Sequence, residues 1–308
     1  GIKILDVGCN DGSLLNLFKA KGAITVGIEP TDAYKDSTGN GHILYNDFFD
    51  VQTAIKIKEK HGSPDIITFT NVFAHIENLN ELLESLKNIM SPKTILVIEN
   101  HYLGSIIDSY QFDTFYHEHP RTYSLKSFEK ISETLDVNLF GVEFPSRYGG
   151  NIRVYLGGNA NMPDDETVVF QDIMRKEESF GSSLVSMQSH IEVWKTYMIV
   201  KIKLLYDEHG PLVAKAFPGR AAILIKLLGM NEDILATVYE KPGSMKIGNY
   251  LPGTRIPIRS DDELFSTDPL PEIIINLAWH ISEEIERFLI DKGFKGEIID
   301  IYNPIIRT

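Results

Sequence analysis

The feature of this sequence that most restricts its fold is the alternation of strand and helix patterns in its first third. The segments 13–21 and 79–90 carry apolar residues at helical spacing. Between and around them lie short apolar runs of strand length, at 2–7, 24–28, 43–45, 65–69 and 94–99. Such alternation predicts βαβ units and therefore a mostly parallel sheet with both faces covered.

A helical region separates this first part from a second alternating part. From 164 to 209 the chain has no proline, and apolar residues from Phe180 to Leu205 recur every three or four positions. This spacing predicts one or two long helices that join two lobes. Later strand patterns lie at 212–217, 234–239, 273–277 and 297–301, with helix patterns at 221–228 and 282–292. We predict an α/β domain at 1–160, a helical connector at 161–210 and a smaller α/β domain at 211–308.

Composition excludes several classes of partner and site. Acidic residues outnumber basic ones 43 to 30, for a net charge of −13, which argues against a nucleic acid partner. The single cysteine, Cys9, excludes an internal disulfide and a cysteine-built zinc site. The sequence has no apolar run of ~18 residues and no signal-like segment, so we expect no membrane partner and a cytoplasmic location. It opens inside a strand pattern, which suggests a preceding segment.

A glycine-containing loop between the first strand and the first helix predicts a nucleotide-type ligand. Gly8 and Gly12 flank Asn10, a residue that tolerates positive φ, and Glu29 follows the next strand, where it can accept hydrogen bonds from ribose hydroxyls. A dinucleotide requires three glycines around its pyrophosphate, and here Asp11 stands near the phosphate position. S-adenosylmethionine (SAM) has no phosphate and carries two cationic groups, so the loop favours SAM over NAD. A turn that binds nothing is the remaining alternative.

Two further loops follow strands of the predicted sheet at its carboxyl edge, where open α/β sheets bind ligands. Asp47 can accept from an adenine amino group and Phe48 can cover the ring; the alternative is a loop aspartate beside a core aromatic residue. Asn71 to His75 follows the next strand and is either part of the ligand site or a polar turn.

Titratable residues are dense between Phe112 and Pro120, a segment that follows strand 94–99. Metal binding by His117 and His119 is disfavoured, because no second ligand pair stands at helical spacing. Acid–base chemistry fits better, since histidine titrates near neutral pH and Tyr116 or Glu118 can orient it or polarise an oxygen. A hydrogen-bonded structural loop is the alternative.

These motifs carry a resemblance that covers nearly the whole chain. They are Gly8-x-Asn10-Asp11-Gly12, Glu29-Pro30, Asn71-Val72-Phe73-Ala74-His75, Phe112-Asp113-Thr114-x-Tyr116-His117-Glu118-His119, Gly149-Gly150-x-x-Arg153-Val154-Tyr155, Lys246-x-Gly248-x-Tyr250-Leu251-Pro252-Gly253-Thr254-x-Ile256-Pro257-Ile258 and Leu277-Ala278-Trp279. In this order they resemble the SAM-dependent sugar C-methyltransferases, which act on nucleotide-linked 4-keto-deoxysugars. The resemblance implies a Rossmann-like class I methyltransferase domain plus a second, smaller Rossmann-like domain.

The resemblance also implies roles for individual residues. SAM would lie against Asp6, Gly8, Asn10, Gly12, Glu29, Asp47, Phe48 and Asn71. His119 would be the general base, with Tyr116 and Glu118 beside it, and Tyr116 or His75 would donate to the keto oxygen of the substrate. For the nucleotide sugar, Arg153 and Lys246 would bind phosphates and Tyr148 and Asn151 would contact the sugar.

Three features depart from that family. Its members usually have a cysteine-rich zinc domain before the glycine loop, and this sequence does not contain one. Tyr148 stands where the family has histidine, and the turn at 216–224 lacks the usual lysine, although Arg220 can serve as a cation there. An O-methyltransferase acting on a sugar or related small metabolite, and a non-catalytic SAM-binding module, therefore remain as alternatives.

Overall fold

The structure is a computed structural model that describes residues 1–146, 150–159 and 163–304. The chain forms two compact units. The first consists of residues 1–108 and 117–181, and the second of residues 109–116 and the residues from 182 onward. The domain boundaries suggested by the sequence, after residues 160 and 210, stay a prediction.

The first unit is built on a seven-stranded sheet with the order β3-β2-β1-β4-β5-β7-β6. Its strands are β1 Lys3–Val7, β2 Ile24–Ile28, β3 Ile43–Tyr45, β4 Ile66–Thr70, β5 Ile95–His101, β6 Asn138–Glu143 and β7 Asn151–Gly157. Its helices are α1 Ser13–Ala20, α2 Tyr34–Ser37, α3 Val51–His61, α4 Leu79–Ile89, α5 Leu103–Asp108, α6 Leu125–Leu135 and α7 Asp164–Glu177. Strands β1 to β5 pair in parallel, which confirms the predicted mostly parallel sheet.

Strand order places a ligand crevice in this unit. β1 lies between β2 and β4, so the chain leaves β1 toward one side and later returns on the other. The register pairs Val7 with both Ile28 and Phe69, which brings the carboxyl ends of the three strands to one edge. Ligands of open α/β sheets bind at such a point.

Local signals in the sequence explain where the helices begin. The Asp50 side chain accepts a hydrogen bond from the Thr53 amide and so caps α3. Ser124 and Ser127 exchange side-chain and backbone hydrogen bonds at the start of α6. Helix α4 buries Leu82, Leu83, Leu86 and Ile89 on one face, as its spacing predicts.

The antiparallel end of the sheet was not predicted. β7 runs antiparallel to both β5 and β6. Two of its residues, Asn151 and Arg153, are polar, and the sequence analysis had named both as contacts for the nucleotide sugar. Glu99 on the neighbouring β5 accepts hydrogen bonds from both side chains, which compensates for placing these two donors within the sheet.

The long helical region is confirmed as two helices, α7 and α8 Phe180–His209. Most of the predicted stripe on α8 is buried in the second unit, with Trp194 0% and Met198 2% exposed. Leu184 is an exception, because it is 38% exposed. No described helix is long and apolar enough to cross a membrane.

The second unit contains a five-stranded parallel sheet with the order β10-β9-β8-β11-β12. Its further elements are β8 Leu212–Lys215, α9 Ala221–Leu227, β9 Leu235–Glu240, β10 Ile258–Ser260, α10 Asp261–Leu264, β11 Ile273–Asn276, α11 Ser282–Asp291 and β12 Glu297–Asp300. As in the first unit, the chain leaves the sheet in opposite directions from two adjacent strands, here β8 and β11. The second α/β domain expected from the sequence is confirmed.

Candidate active site

A cavity of about 610 Å³ opens at the carboxyl edge of the first sheet. Its walls come from the ends of β1 and β2, the loop before α3, the loop after β4 and the start of α4. They consist of Val7, Gly8, Ile28, Pro30, Phe48, Phe49, Asp50, Val72, His75, Ile76, Glu77, Asn78, Glu81 and Leu82. This is the position at which the strand order predicts a ligand.

Close approach of two loops explains why the first glycine stands in the cavity wall. Gly8 has φ +74°, and a Cβ atom built on it would lie 2.4 Å from a methyl carbon of Val72. Asn10 and Gly12 also have positive φ, +50° and +77°. The expected left-handed conformation of Asn10 is confirmed, and it lets the loop turn without a second glycine.

Glu29 is the residue that organises this loop. It is 7% exposed, and its two carboxylate oxygens accept hydrogen bonds from the Asn10 amide at 3.0 Å and from the Thr31 amide and hydroxyl at 2.9 and 2.6 Å. A carboxylate has about four acceptor sites, so three bonds leave capacity for a ligand hydroxyl. The role of Glu29 in binding ribose stays a prediction. Its hydrogen bonds to Asn10 and Thr31 give it a second role, which is to hold the loop in place.

Replacing Glu29 by alanine is expected to weaken SAM binding by about tenfold or more. The variant loses the ribose acceptor, at roughly 1 kcal/mol or more per hydrogen bond, together with the bonds that hold Asn10 and Thr31. Titration calorimetry with SAM measures the change. Glu59→Ala removes the same charge from the exposed face of α3 and serves as the control. Equal affinities in the two variants would contradict the placement.

Asp6 lies at the end of β1, behind the loop. It is 3% exposed and accepts a hydrogen bond from the Thr68 hydroxyl at 2.6 Å. Burial, together with the nearby Glu29 charge, raises the pKa of Asp6 to about 7, although the Thr68 hydrogen bond lowers it. Its predicted contact with SAM stays a prediction; the structure shows a carboxyl group beneath the ligand edge.

The raised pKa of Asp6 predicts a pH-dependent stability. Because the folded protein binds this proton more tightly than the unfolded chain, the contribution of Asp6 to stability is fully present below pH about 4 and is lost as the pH rises through about 7. We expect Asp6→Asn to flatten this dependence, by on the order of 1 to 4 kcal/mol between pH 4 and 8. Urea unfolding across that range measures it. The exposed Asp32→Asn is the control, and parallel curves for wild type and Asp6→Asn would contradict the prediction.

The remaining predicted SAM contacts lie on two loops. Phe48 lines the cavity with its ring 73% exposed, as a side chain that covers a flat ligand would be. Asp47 accepts a hydrogen bond from the Phe48 amide and stands next to the lining. Asn71 has φ +55°, and its side-chain oxygen accepts from Asn151. These three roles stay predictions.

The charge of the cavity fits SAM. Its lining holds three carboxylates, Asp50, Glu77 and Glu81, and none of the lining residues, all within the described part of the chain, is a lysine or arginine. Carboxylates favour the ammonium and sulfonium groups of SAM and disfavour a pyrophosphate. Phe48, Ile28 and Val72 add an apolar surface to the same lining, which suits the flat face of an adenine ring.

A cluster of histidines adjoins this cavity. His75 lines the cavity, and its ring centroid lies 4.8 Å from that of His119. The Nδ1 atom of His75 donates to the backbone carbonyl of Glu118 at 2.6 Å, which fixes the segment immediately before His119. The structure thus brings together two of the predicted catalytic residues.

His101 is a member of this cluster that the sequence analysis missed. It ends β5, and its ring meets that of His119 edge to face, with centroids 5.9 Å apart and planes at 82°. The signal was available, because a titratable residue at the carboxyl end of a parallel strand faces the ligand edge. It was missed because the predicted strand ended at Glu99, which left His101 in the connecting stretch, whereas β5 continues to His101.

The other predicted catalytic residues differ in position. The side chain of Glu118 is 51% exposed and lies 4.0 Å from His117. Tyr116 is half-buried and ends the segment 109–116, which belongs to the second unit. The catalytic roles proposed for both stay predictions. Among the described residues, no group of three or more His, Cys, Asp or Glu has an arrangement that could hold a metal ion.

Two predicted substrate ligands are committed to bonds inside the sheet. Arg153 donates to buried Glu99 at 2.6 and 2.8 Å and to Glu143 at 2.8 Å, so a substrate phosphate would have to displace a carboxylate. Asn151 is fully buried, and its amide donates to Glu99 and Asn71. A contact between Asn151 and a sugar would require this amide to be uncovered.

The remaining substrate residues lie in other parts of the chain. Tyr148 lies outside the described residues. In the second unit, Lys246 is half-exposed and donates to the carbonyl of Phe217, which leaves its predicted phosphate contact untested. Arg220 is 9% exposed and pairs with Asp113, so the suggestion that it substitutes for the family's lysine as a cation stays a prediction.

Comparisons with known proteins assign both halves of the chain. Residues 1–139 match the family described as a methyltransferase domain, and residues 146–295 match the C-methyltransferase C-terminal domain. The C-methyltransferase NovU of Streptomyces niveus is 24% identical over 290 residues, which is 92% of this chain and 68% of NovU.

Solved structures of low similarity align with about half of the chain. A SAM-dependent methyltransferase from Archaeoglobus fulgidus is 16% identical with a TM-score of 0.39, covering 50% of this chain and 85% of its own. The magnesium protoporphyrin IX methyltransferase of Synechocystis PCC 6803, solved with bound S-adenosylhomocysteine, is 16% identical with a TM-score of 0.38, covering 51% and 73%.

Proposed function

This chain belongs to the SAM-dependent C-methyltransferases, and from that membership we propose that it methylates a carbon next to the keto group of a nucleotide-linked deoxysugar. His119 is the proposed general base. The ketone requirement follows from the chemistry, because a carbon-bound proton is acidic enough for a histidine only when the charge can move to an adjacent carbonyl oxygen.

The observation that carries this proposal is the contact between His75 and His119. His75 lines the cavity that fits SAM, and His119 touches its ring. Only the His75 side chain separates His119 from the cavity in which SAM would bind. His119 can therefore reach a substrate carbon that lies beside the methyl group of SAM. A structural loop, the alternative raised by the sequence, would not require this adjacency.

The residues of the chain divide the chemistry as follows. Bound SAM supplies an electrophilic methyl group and leaves as S-adenosylhomocysteine. His119 accepts the proton from the substrate carbon, the electron pair of that C–H bond moves toward the keto oxygen, and the carbon then forms the new bond to the methyl group. His75 holds the backbone at Glu118, which limits where His119 can stand.

The keto oxygen needs a hydrogen-bond donor as charge develops on it. The Nδ1–H of His75 is already used by Glu118, so a neutral His75 presents only an acceptor at Nε2. We therefore favour the hydroxyl of Tyr116 over His75 as the donor. The sequence alone had left both residues open as the donor.

A product assay tests the proposal. The protein is incubated with methyl-labelled SAM and a set of 4-keto-deoxysugar nucleotides, and the product is then treated under conditions that cleave methyl ethers. We expect the label to remain on the sugar, with one carbon-bound proton lost. A cleavable label would show O-methylation, and SAM binding without transfer to any of these substrates would support a non-catalytic module.

A further inference from the structure

The second unit has its own ligand position, at the carboxyl ends of β8 and β11. The loop that leaves β8 ends at Arg220, the residue immediately before α9, and the loop that leaves β11 contains Trp279. These adjacent strands are the point at which the chain order of this sheet reverses, where an open α/β sheet binds its ligand.

Here the chain's own Asp113 occupies that position. Arg220 donates to its two carboxylate oxygens from Nε at 2.9 Å and from Nη2 at 2.6 Å, and Trp279 Nε1 donates to it at 2.8 Å. Asp113 is fully buried and Arg220 is 9% exposed, and the guanidinium also lies 5.2 Å from the indole ring. We call Asp113, Arg220 and Trp279 the Asp113 clasp.

The charges of the clasp are balanced within it. Burial and the Arg220 charge lower the pKa of the adjacent His280 to about 4, so His280 is neutral near pH 7 and Arg220 is the cation that neutralises Asp113. Buried bidentate pairs of this kind are held in one geometry, because any displacement leaves a charge unpaired.

The same segment is anchored at neighbouring positions. The ring of Phe112 packs against Trp194 and Tyr302, with centroids 5.2 and 5.1 Å away. The Tyr302 hydroxyl donates to the carbonyl of Tyr110 at 2.8 Å. Residues 109–116 therefore belong to the second unit, although the sequence on both sides of them belongs to the first.

Asp113 precedes the proposed base by only six residues. We propose that Arg220 and Trp279 are positioning residues for methyl transfer: they bind Asp113 and thereby fix the start of the segment that carries Tyr116 and His119. The effect on turnover rests on the proposed function, whereas the effect on the segment does not. The second sheet thus uses its ligand position to hold part of the catalytic segment.

Hydrogen–deuterium exchange of the full chain tests the clasp without any substrate. The variants are Arg220→Lys, which keeps one charged donor, Arg220→Met, which keeps none, and Trp279→Phe, which loses only the indole N–H. Arg259→Lys, in an exposed ion pair of the same unit, is the control. We expect exchange at residues 114–120 to rise by about tenfold or more in Arg220→Met and by less in Arg220→Lys, with residues 1–100 unchanged.

Three further readings separate positioning from general stability. Affinity for SAM should be unchanged, whereas kcat on a keto-sugar nucleotide should fall by about 10²-fold in Arg220→Met, the cost of a small misplacement. The double variant Arg220→Met/Asp113→Asn leaves no charge in the Asp113 clasp. Its kcat should fall by no more than that of Arg220→Met alone. Trp279→Phe carries the test if Arg220→Met does not fold.

Unchanged exchange at 114–120, or an equal rise throughout the chain, would overturn the proposal. Faster exchange at 114–120 in a protein that methylates no keto sugar would uphold the clasp and remove the proposed function.

Discussion

Replacing His119 by alanine is expected to lower turnover by about 10²- to 10⁴-fold, the usual contribution of a positioned general base. The variant leaves the cavity wall intact, because His119 contacts His75 and is not itself a lining residue. SAM affinity should therefore change little. Steady-state kinetics with a 4-keto sugar nucleotide and calorimetry with SAM measure the two effects separately.

His117→Ala is the matched control for this prediction. It removes the same side chain two positions earlier, where the imidazole is 81% exposed. We expect that variant to retain turnover within a few-fold of wild type. Unchanged turnover in His119→Ala, or an equal loss in both variants, would remove His119 from the mechanism.

Replacing Gly8 by alanine is expected to weaken SAM binding by about 10- to 100-fold. The new methyl group would meet Val72 at 2.4 Å, and φ of +74° is unfavourable for any residue with a Cβ atom. Overpacking of this kind costs about 1–3 kcal/mol, and here the loops that must separate are two walls of the cavity. Calorimetry with SAM, together with thermal unfolding of the free protein, measures the effect.

Two controls isolate the contact with Val72. Gly22 has φ +83° with nothing within 4 Å of a built Cβ atom, so Gly22→Ala has the backbone strain without the clash. Its SAM affinity should match wild type. Adding Val72→Ala to Gly8→Ala removes the methyl carbon at 2.4 Å and should restore part of the affinity. A Gly8→Ala variant that binds SAM as tightly as wild type would contradict the cavity assignment.

Periodicity was sufficient to predict the parallel part of the first sheet. Strands β1 to β5 are short apolar runs, mostly buried apart from the half-buried β3, and their spacing with α1 and α4 left few alternatives. The antiparallel β7 could not be recognised in this way, because Asn151 and Arg153 both donate to Glu99, a residue more than 50 positions away in the sequence. A hydrogen-bond partner on a neighbouring strand cannot be predicted from the local pattern of residues.

For the candidate site, too, local patterns could be predicted and contacts between distant residues could not. The glycine loop, Glu29 and the segment around His119 were predicted, because the residues that carry the chemistry lie close together in the sequence. The ion pair between Arg220 and Asp113 was not predicted, because the two residues lie 107 positions apart and belong to different motifs of the sequence. His101 was missed because the apolar pattern stops at Glu99, two residues before the strand ends.

The most direct test of the central claim is exchange of the substrate proton. A 4-keto-deoxysugar nucleotide is incubated in D₂O with the protein and S-adenosylhomocysteine, and deuterium at the carbon next to the ketone is followed by NMR. We predict exchange with wild type, and a loss of about 10²-fold or more with His119→Ala. No exchange with wild type, or the same exchange with His119→Ala, would contradict deprotonation of carbon by His119.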